Sequence, residues 1–444
     1  MTKQECTIKY ITENYLNFNR LRHDVIADKL QVRCAYNLGE EAKGDEASRQ
    51  EYWREMTKHD INSIVCHAAQ EYDANITSRE VMTALQSDLI PNVHPLREYI
   101  LSLRPYTPDQ PDWIDFVAQQ VRTADNAGSG VQEFRSSGVT SKHLNSKASE
   151  LPNISSADRL WRTCFKKWFV AMVASWMKDE VVNHQVLVLI GKQGIFKTTW
   201  LEHLIPPHLR AYACKLANSN DLNKDERLRI AEFGLISLDE IDSMNNRELN
   251  QLKSVITATD VNERAAYAYT KERRVRLASF CASGNRRDFL TDITGNRRWL
   301  PFEVESIQNP FYTILPYERM YAQAWALAQD PLFSYWFDLD EIEVLEEHNQ
   351  HFRDESNEEQ LLPILFDVPA ESKGEFMTTA QISERLVTYG NIKKPMALSR
   401  LGMVLGAAGY QSTRPKIGGR LIRGWLVYQR DTDEIASLKR LLKE

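Results

Sequence analysis

The chain has 444 residues and a formal net charge of −6 at pH 7, so its overall charge gives no support to non-specific nucleic-acid binding. Hydrophobic residues make up 43% of it, but the first ten residues lack the apolar core of a signal peptide and runs such as 168–174 are too short to span a bilayer. The six cysteines have no CxxC or Cys/His spacing, which argues against a zinc site and predicts reduced thiols in a cytoplasmic protein.

The first 123 residues are predicted to form a hairpin followed by a mostly helical domain. Apolar and polar residues alternate over 15–37 around a polar turn, as in a small hairpin. From about Glu46 to Ala118 the pattern is helical, and Thr77 with Glu80 is typical of a capping box. The helical segment contains no catalytic constellation, and residues 1–150 contain no convincing acidic cluster of the polymerase type. We therefore expect any primase to be a separate partner.

Residues 124–157 are predicted to be a flexible linker or an exposed loop. Eight of the 33 residues from Ala124 to Ser156 are serine, and large apolar side chains are sparse. The next domain, 158–335, opens with a predicted helix. Its large apolar residues recur at helical spacing, so we expect them in the core. They are Trp161, Phe165, Trp168 and Met172.

A phosphate-binding loop is predicted in VLVLIGKQGIFKTT, residues 186–199. The apolar run 186–190 is typical of a buried strand, and the glycine-containing turn after it can wrap backbone N–H groups around phosphate oxygens. The next helix would begin with its positive dipole end at the anion. Lys197 is expected to reach the outer phosphates and Thr198 to hold Mg²⁺. The predicted nucleotide-binding residues are Gly191, Gly194, Lys197, Thr198 and Thr199.

One residue departs from the usual phosphate-loop pattern. Glycine normally stands immediately before the lysine, and here that position is Phe196. On this motif alone, nucleotide binding is better supported than hydrolysis, and an ordinary strand-to-helix turn is the alternative.

An acidic strand end is predicted about forty residues further on. The apolar strand 233–238 is followed by Asp239 and Glu240. Asp239 is expected to help hold Mg²⁺ and Glu240 to polarise the attacking water. Asp242 is expected to be a cap or a salt-bridge partner, and an acidic helix cap is the alternative for the whole segment.

Two further elements follow in the order that a nucleotide hydrolase needs. The apolar strand 277–284 ends at Asn285, which is expected to orient the water beside the γ-phosphate. Arg297 and Arg298 lie on a tight turn before another strand, where an arginine can stabilise a transferring phosphoryl group across a subunit boundary. A turn amide and an arginine pair bridging surface carboxylates are the alternatives.

Five runs of sequence together resemble the virulence-associated E proteins. The resemblance covers about residues 158–306, and it implies a ring-forming P-loop ATPase related to superfamily 3 helicases and viral primase-helicases in the broad AAA+ group. It assigns Lys197 and Thr198 to the phosphate loop, Asp239 and Glu240 to the acidic strand end, and Asn285 to the sensor. Arg297 or Arg298 would be the finger. The runs are GKQGIFKTTW (191–200), LISLDEIDSMNNRELNQLKSVIT (235–257), VNERAAYAYTKERR (261–274), SFCASGN (279–285) and DITGNRRWLPFEV (292–304).

The segment 254–276 lies where superfamily 3 helicases carry a hairpin that reaches into the central pore of the ring. It interleaves Tyr267 and Tyr269 with basic residues, a composition suited to tracking single-stranded DNA. A charged surface hairpin is the alternative. The candidate DNA contacts are Lys271, Arg273 and Arg274, and Arg264 and Arg276 are also basic.

The last third of the chain is electrically asymmetric. Residues 338–359 contain ten acidic residues and one arginine, whereas 385–430 contain nine basic and no acidic residues. The pattern over 378–430 outlines a winged-helix module. It begins with a helix capped by Thr378 and Gln381 that runs through Leu386, continues with a second helix over 395–408, and ends with two strands joined by 417–420. Its second helix would face the major groove of duplex DNA. The wing would bring Arg414, Lys416, Arg420 and Arg423 to phosphates. Winged helices also serve as protein-interaction domains.

The sequence therefore predicts an α/β protein with a P-loop NTPase core of the AAA+ or superfamily 3 type. The domains are expected at 1–123, 124–157 (linker), 158–335 (ATPase core), 336–372 (acidic helical connector) and 373–444 (winged-helix-like module).

The predicted function is that of an ATP- and Mg²⁺-dependent helicase or replication-initiation motor of a phage or mobile element. It would be a homo-oligomer, a hexameric ring, with single-stranded DNA in its pore and duplex DNA at the C-terminal module. The alternatives are an ATP-binding oligomeric switch or scaffold that does not unwind DNA, and a DNA-binding regulator whose ATPase domain controls assembly.

Overall fold

A computed structural model of the chain describes residues 1–37, 49–124, 156–216, 224–263, 272–291, 296–369 and 374–441. Over these ranges the chain is an α/β protein with one large sheet near the middle of the sequence. Every helix in these ranges is too short or too polar to cross a membrane. The predicted linker, except for its two ends, lies outside the described residues.

The N-terminal region packs helices against a four-stranded sheet. The expected hairpin is confirmed, because its strands pair antiparallel with Leu21 opposite Val32. The capping box of Thr77 and Glu80 is also confirmed. The elements are α1 (Lys3–Asn14), β1 (Leu21–Asp24), β2 (Lys29–Asn37), β3 (Arg49–Glu55), α2 (Lys58–Tyr72), α3 (Ser78–Leu85) and β4 (Asn92–Val93).

The helical prediction for 46–118 is wrong over β3. This strand pairs antiparallel along β2, with Trp53 opposite Arg33. The guanidinium of Arg22 lies over the Trp53 ring, 4.1 Å from its centroid. Both interactions join residues far apart in sequence, so tertiary pairing overrides the local pattern.

The central sheet has six strands in the order β5-β12-β6-β11-β8-β7. Neighbours from β12 to β7 run parallel, and β5 is antiparallel to β12. Because the carboxyl ends of parallel strands meet at one edge, the segments after β6, β8 and β11 are neighbours in space. The strands are β5 (Val121–Thr123), β6 (Val186–Ile190), β7 (Ala213–Leu216), β8 (Leu235–Leu238), β11 (Ser279–Gly284) and β12 (Trp299–Ile307).

Helices cover both faces of this sheet, which explains why β6 is apolar throughout. Leu187 and Leu189 belong to the core cluster that contains α6, and Val186, Val188 and Ile190 belong to the cluster that contains α9. The helices of this region are α4 (Pro95–Ser102), α5 (Trp113–Ala118), α6 (Ser156–Met177), α7 (Lys197–His203), α8 (Lys224–Glu232), α9 (Asn246–Thr257), α10 (Tyr317–Gln329) and α11 (Leu339–Gln350).

The apolar stripe of α6 lies in the core, as predicted. Trp161, Phe165, Trp168 and Met172 are each at most 1% exposed. The same cluster contains side chains of α4, α5 and β5. Residues 95–123 therefore pack onto the core of the domain that was predicted to begin at residue 158.

A short antiparallel hairpin, β9 (Asp260–Glu263) and β10 (Glu272–Val275), leaves this core. Its base is fixed by Arg276, which is 1% exposed. The guanidinium donates to the carbonyl oxygens of Asn183 (2.8 Å) and Ala278 (3.1 Å), and burial lowers the pKa of Arg276 to about 9. Arg276 is therefore an internal anchor, although the sequence groups it with the basic residues of the hairpin.

The C-terminal region has a separate core cluster that includes Leu386, Leu401 and Trp425. The cap of Thr378 and Gln381 is confirmed, although its helix extends beyond the predicted Leu386. The elements are α12 (Asn357–Leu365), β13 (Phe366–Asp367), β14 (Glu375–Met377), α13 (Thr379–Gly390), α14 (Leu398–Ala407), β15 (Ser412–Thr413), β16 (Lys416–Ile417), β17 (Arg420–Leu421), β18 (Gly424–Gln429) and α15 (Thr432–Leu441).

Candidate functional site

The loop between β6 and α7 is tightly built at its start and open in its middle. At Gly191 a Cβ atom would lie 2.6 Å from the carbonyl oxygen of Val304, so only glycine fits. Gly194 has a φ of +86° and open space around it. Phe196, at the N-cap of α7, has a φ of 67°, a left-handed conformation that non-glycine residues rarely adopt. Phe196 therefore has the left-handed backbone conformation that glycine normally adopts at this position of a phosphate loop.

Lys197 is held in the mouth of this loop and is 7% exposed. Its ammonium donates to the carbonyl oxygens of Gly191 (2.8 Å) and Lys192 (2.7 Å). It also lies 3.3 Å from Oδ1 of Asn285 at the end of β11. The structure therefore brings together two residues that the sequence places 88 positions apart.

Three oxygen-bearing side chains meet beside this ammonium. Thr198 Oγ1 lies 3.1 Å from Asp239 Oδ1 and 2.8 Å from Ser283 Oγ. Ser283 donates to the same Asp239 oxygen at 2.7 Å. Lys215, on β7, contacts the other carboxylate oxygen at 2.8 Å. We call Thr198, Asp239 and Ser283 the hydroxyl–carboxylate cluster.

The charges of this site are set by its surroundings. Burial lowers the pKa of Lys197, while Asp242 and Asp239 act in the opposite direction. Burial acts to raise the pKa of Asp239, but hydrogen bonds from Lys215 and Ser283 outweigh it and the pKa lies below its ordinary value. Asp239 is therefore an anion at neutral pH, the state in which a carboxylate binds cations.

Glu240 and Asp242 follow β8 but have different environments. Glu240 is exposed, has a left-handed φ of 52°, and its carboxylate has no hydrogen-bond partner among the described residues. The Asp242 side chain is 8% exposed. It accepts from the backbone N–H groups of Asn285 and Arg286, both at 3.1 Å, and pairs with the Arg286 guanidinium. The prediction that Asp242 is a cap or salt-bridge partner is confirmed.

The Phe196 ring contacts Phe311, in the loop after β12. The two ring centroids are 6.4 Å apart in an edge-to-face arrangement. His203, at the end of α7, also meets Phe311, with centroids 5.6 Å apart. Thr199 lies in the first turn of the same helix. The bulky side chain therefore contacts the β12 side of the loop, whereas the hydroxyl–carboxylate cluster lies toward β8 and β11.

Arg297 and Arg298 lie at the opposite edge of the sheet. They form a short 3₁₀ turn directly before β12, whose first residue, Trp299, is paired with Val186 at the start of β6. The loop begins at the other end of β6, after Ile190. Four strand residues separate these points by about 13 Å. Neither arginine can therefore reach the loop of its own chain by a local rearrangement.

The site offers oxygen ligands suited to a hard divalent cation. Mg²⁺ is commonly held by one or two protein oxygens together with water and substrate phosphates. The hydroxyl of Thr198 and the carboxylate of Asp239 fit that pattern. No group of three or more His, Cys, Asp or Glu side chains able to hold a metal occurs within the described ranges.

The three candidate DNA contacts of the β9–β10 hairpin are placed differently from one another. Lys271 lies outside the described residues, and only the backbone of Arg273 is described. Arg274 is 18% exposed at its side chain and contacts Asp28 at 3.2 Å and Glu232 at 3.6 Å. Two carboxylates therefore hold Arg274 at the base of the hairpin.

In the C-terminal region the basic residues of the predicted wing are all exposed. The β16–β17 hairpin turns through Gly418 and Gly419, both with positive φ. None of its basic side chains has a hydrogen bond or ion pair with another described residue. These are Arg414, Lys416, Arg420 and Arg423.

The helix predicted to face the major groove, α14, is poorly equipped to read bases. Its one charged residue, Arg400, donates to the carbonyl oxygen of Thr291 at 3.0 Å. Its exposed large side chains are the apolar Leu398 and Met403. Base readout relies on Arg, Lys, Asn and Gln side chains, so the hairpin is the better candidate for contact with DNA.

Ser283 and Lys215 both contact Asp239 but were not predicted from the sequence. Ser283 lies inside SFCASGN, and a small residue in a buried strand does not by itself indicate a site residue. Lys215 stands at the end of β7, whose carboxyl edge adjoins that of β8. Knowing the strand order would have placed both residues next to Asp239.

The chain is similar to a known protein family over part of its length and to several solved structures. Residues 140–359 match the family described as the virulence-associated protein E-like domain. The apo structure of the NrS-1 C terminal region (305–718) is 11% identical, with a TM-score of 0.44 over 96% of this chain and 100% of that one. An A form of that region is 10% identical, with a TM-score of 0.43 over 95% and 99%. Among curated proteins, none gives a significant match.

Proposed function

The chain belongs, through residues 140–359, to the virulence-associated protein E-like domain family, and we propose that it is a Mg²⁺-dependent P-loop ATPase acting on DNA. The proposed role is that of a helicase or replication-initiation motor of a phage or mobile genetic element. The observation that carries the proposal is the hydroxyl–carboxylate cluster beside Lys197 at the carboxyl edge of the sheet.

Each residue of the site has a role that follows from its position. Lys197 neutralises the phosphates from the mouth of the loop. Thr198 and Asp239 hold Mg²⁺, which when bound stabilises the negative charge on the transferring phosphoryl group. Glu240, exposed and without a partner among the described residues, accepts a proton from the attacking water. Asn285, 3.3 Å from the ammonium, orients that water.

The position of the arginine pair supports a shared site. Arg297 and Arg298 lie at the amino edge of the sheet, away from the loop of their own chain. An arginine finger from either residue must therefore act on another copy. A contact of this kind is head-to-tail and closes into a ring when the rotation permits, which supports a homo-oligomer of the hexameric type.

DNA contact is proposed for the basic residues of the β16–β17 hairpin and its flanks, and for Lys271 and Arg273, of which Lys271 lies outside the described residues. The first presents exposed basic side chains without fixed partners, as phosphate contacts require. Arg274, also predicted to contact DNA, is left out of this proposal because its guanidinium pairs with Asp28 and Glu232.

A second candidate function is an ATP-binding switch that assembles without rapid turnover. Two observations favour it. Phe196 occupies the left-handed position where the usual loop has glycine. Lys215 pairs with Oδ2 of Asp239, the carboxylate oxygen that Thr198 does not contact.

ATP hydrolysis with Mg²⁺, measured with and without single-stranded DNA, separates the two functions. We expect turnover that DNA stimulates and that Lys197→Ala abolishes. Lys58→Ala is the matched control, because Lys58 is an exposed lysine of the N-terminal region. ATP binding without turnover in either condition would favour the switch, and no ATP binding would contradict both functions.

Mixing two inactive variants tests the shared site. Lys197→Ala disables a subunit's own loop, and Arg298→Ala disables the finger that it lends to a neighbour. In a mixed ring some sites have an intact loop and an intact finger, so part of the activity returns. Parallel mixtures with Arg297→Ala identify the finger. No recovery in either mixture would contradict the shared site.

A further inference from the structure

The loop after β12 presents three large apolar side chains to solvent next to the phosphate loop. Phe311 is 68% exposed, Tyr312 87% and Ile314 90%. Of these, the Phe311 ring contacts both Phe196 and His203. Exposed aromatic rings beside a ligand site are commonly covered when the ligand binds.

The order of the strands sets the direction in which a nucleotide would lie. Asp239 and Asn285 follow β8 and β11, on one side of β6, and Phe311 follows β12 on the other side. A triphosphate whose last phosphate lies at Asp239 and Asn285 therefore directs its nucleoside toward β12. Phe311 lies on that side, in contact with Phe196 and His203.

We propose that Phe311, supported by Phe196, is the surface on which the purine ring of the bound nucleotide packs. This proposal rests on the proposed ATPase function and names the residue that binds the base. Aromatic rings stack on any base, so this contact supplies affinity with little discrimination between purines. It also gives Phe196 a role, because its ring holds Phe311 at the edge of the loop.

The backbone around Phe311 forms a hydrogen-bonded turn. Asn309 Oδ1 accepts from the N–H of Phe311 at 3.0 Å. The carbonyl oxygen of Asn309 accepts from the N–H of Tyr312 at 3.1 Å and of Thr313 at 3.2 Å. These bonds form a turn that fixes Phe311 against α7.

The test is calorimetric titration of the full chain with Mg–ATP, Mg–GTP and inorganic triphosphate. We expect Phe311→Ala to weaken the binding of both nucleotides about tenfold, because one stacking contact is lost. Its affinity for inorganic triphosphate should stay within about twofold of the wild type, since the phosphate contacts remain. Phe311→Tyr keeps a ring and should restore nucleotide affinity.

Phe18→Ala is the matched control, because Phe18 is 59% exposed in the N-terminal region, away from the phosphate loop. Equal loss of ATP and triphosphate affinity in Phe311→Ala would overturn the proposal, as that pattern indicates a disturbed loop. Unchanged ATP affinity, with or without altered oligomer size, would also overturn it, and altered size would assign Phe311 to a subunit contact.

The wild type separates this inference from the proposed function. Wild-type protein that binds neither ATP nor triphosphate would contradict both. Wild-type protein that binds both ligands, with a Phe311→Ala variant that binds ATP equally well, contradicts the base contact alone.

Discussion

The carboxyl edge of the central sheet and the β16–β17 hairpin both carry charged side chains, but they hold them in opposite ways. At the sheet edge, Lys197 and Asp239 each have several hydrogen-bond partners and are partly or wholly buried. On the hairpin, Arg414, Lys416 and Arg420 are exposed and have no ionic partner among the described residues.

This difference corresponds to two kinds of ligand. Fixed and partly desolvated groups suit one ligand of constant geometry, such as a nucleotide triphosphate with its metal. Exposed cations without ionic partners suit a polyanion whose phosphates are contacted in many registers. Both regions are proposed to bind phosphate, and they differ in how firmly their own charged groups are held.

The largest effect is expected on ATP turnover when Glu240, the proposed general base, is replaced. Glu240→Gln should lower ATP turnover by about 100-fold or more, because a general base is lost, while ATP affinity is retained. Steady-state turnover and calorimetric ATP titration measure the two quantities. Glu305→Gln, a half-exposed glutamate on β12, is the control and should change neither. Equal turnover in wild type and Glu240→Gln would contradict the role of Glu240 as the general base.

A smaller effect is expected when the hairpin loses its charges. Replacing Arg414, Lys416, Arg420 and Arg423 together by alanine should weaken duplex DNA binding and reduce the magnitude of the slope of log affinity against log salt by about 3.6, since each phosphate contact contributes roughly 0.9. Fluorescence anisotropy over a range of salt concentrations measures the slope. ATP affinity should not change, because the hairpin is not part of the proposed nucleotide site.

The control for the hairpin variant removes the same charge elsewhere. Four exposed basic residues of the N-terminal region serve this purpose: Lys3, Lys9, Lys58 and Arg79. Their alanine variant should keep the wild-type salt slope. A similar drop in both variants would show that net charge, and not the hairpin, governs DNA binding.

A tenfold effect is expected from removing the hydroxyl that orients Asp239. Ser283→Ala should raise the Mg²⁺ concentration needed for half-maximal ATP binding by about tenfold, because second-layer partners of metal ligands commonly contribute that much. Titration with Mg²⁺ at fixed ATP gives the value. Ser237→Ala, at a buried serine on β8 outside the hydroxyl–carboxylate cluster, should leave it unchanged. Identical Mg²⁺ curves for Ser283→Ala and wild type would show that Ser283 does not support Mg²⁺ binding by Asp239.

The smallest effect concerns the backbone at Phe196. Because this residue has a left-handed φ, Phe196→Gly should be more stable than Phe196→Ala by about 1 kcal/mol in the free energy of unfolding. Denaturant unfolding of the two variants gives the difference. In a right-handed conformation alanine would be the more stable, so the sign of the difference decides the point.

The sequence predicted those parts of the site that depend on local pattern. The apolar run of β6, the spacing from Gly191 to Lys197 and the carboxylates after β8 are each contained in a few consecutive residues. The apolar stripe of α6 was predicted for the same reason. Such patterns are visible without knowledge of the fold.

The parts that were missed depend on contacts between distant segments. Ser283 and Lys215 matter because their strands flank β8. Arg276 belongs to a basic run in the sequence, yet it is buried and binds backbone carbonyls. β3 has a helical pattern and becomes a strand by pairing with β2. In each case the neighbour that decides the outcome is not adjacent in sequence.

The nucleotide site is tested most directly by calorimetric titration of ATP, with Mg²⁺, into the wild-type chain and Lys197→Ala. We expect saturable one-site binding to the wild type and a loss of at least about 100-fold in affinity in the variant, since a charged phosphate contact in a partly buried site is removed. Equal affinities, or no binding to the wild type, would contradict the assignment of the carboxyl edge as a nucleotide site.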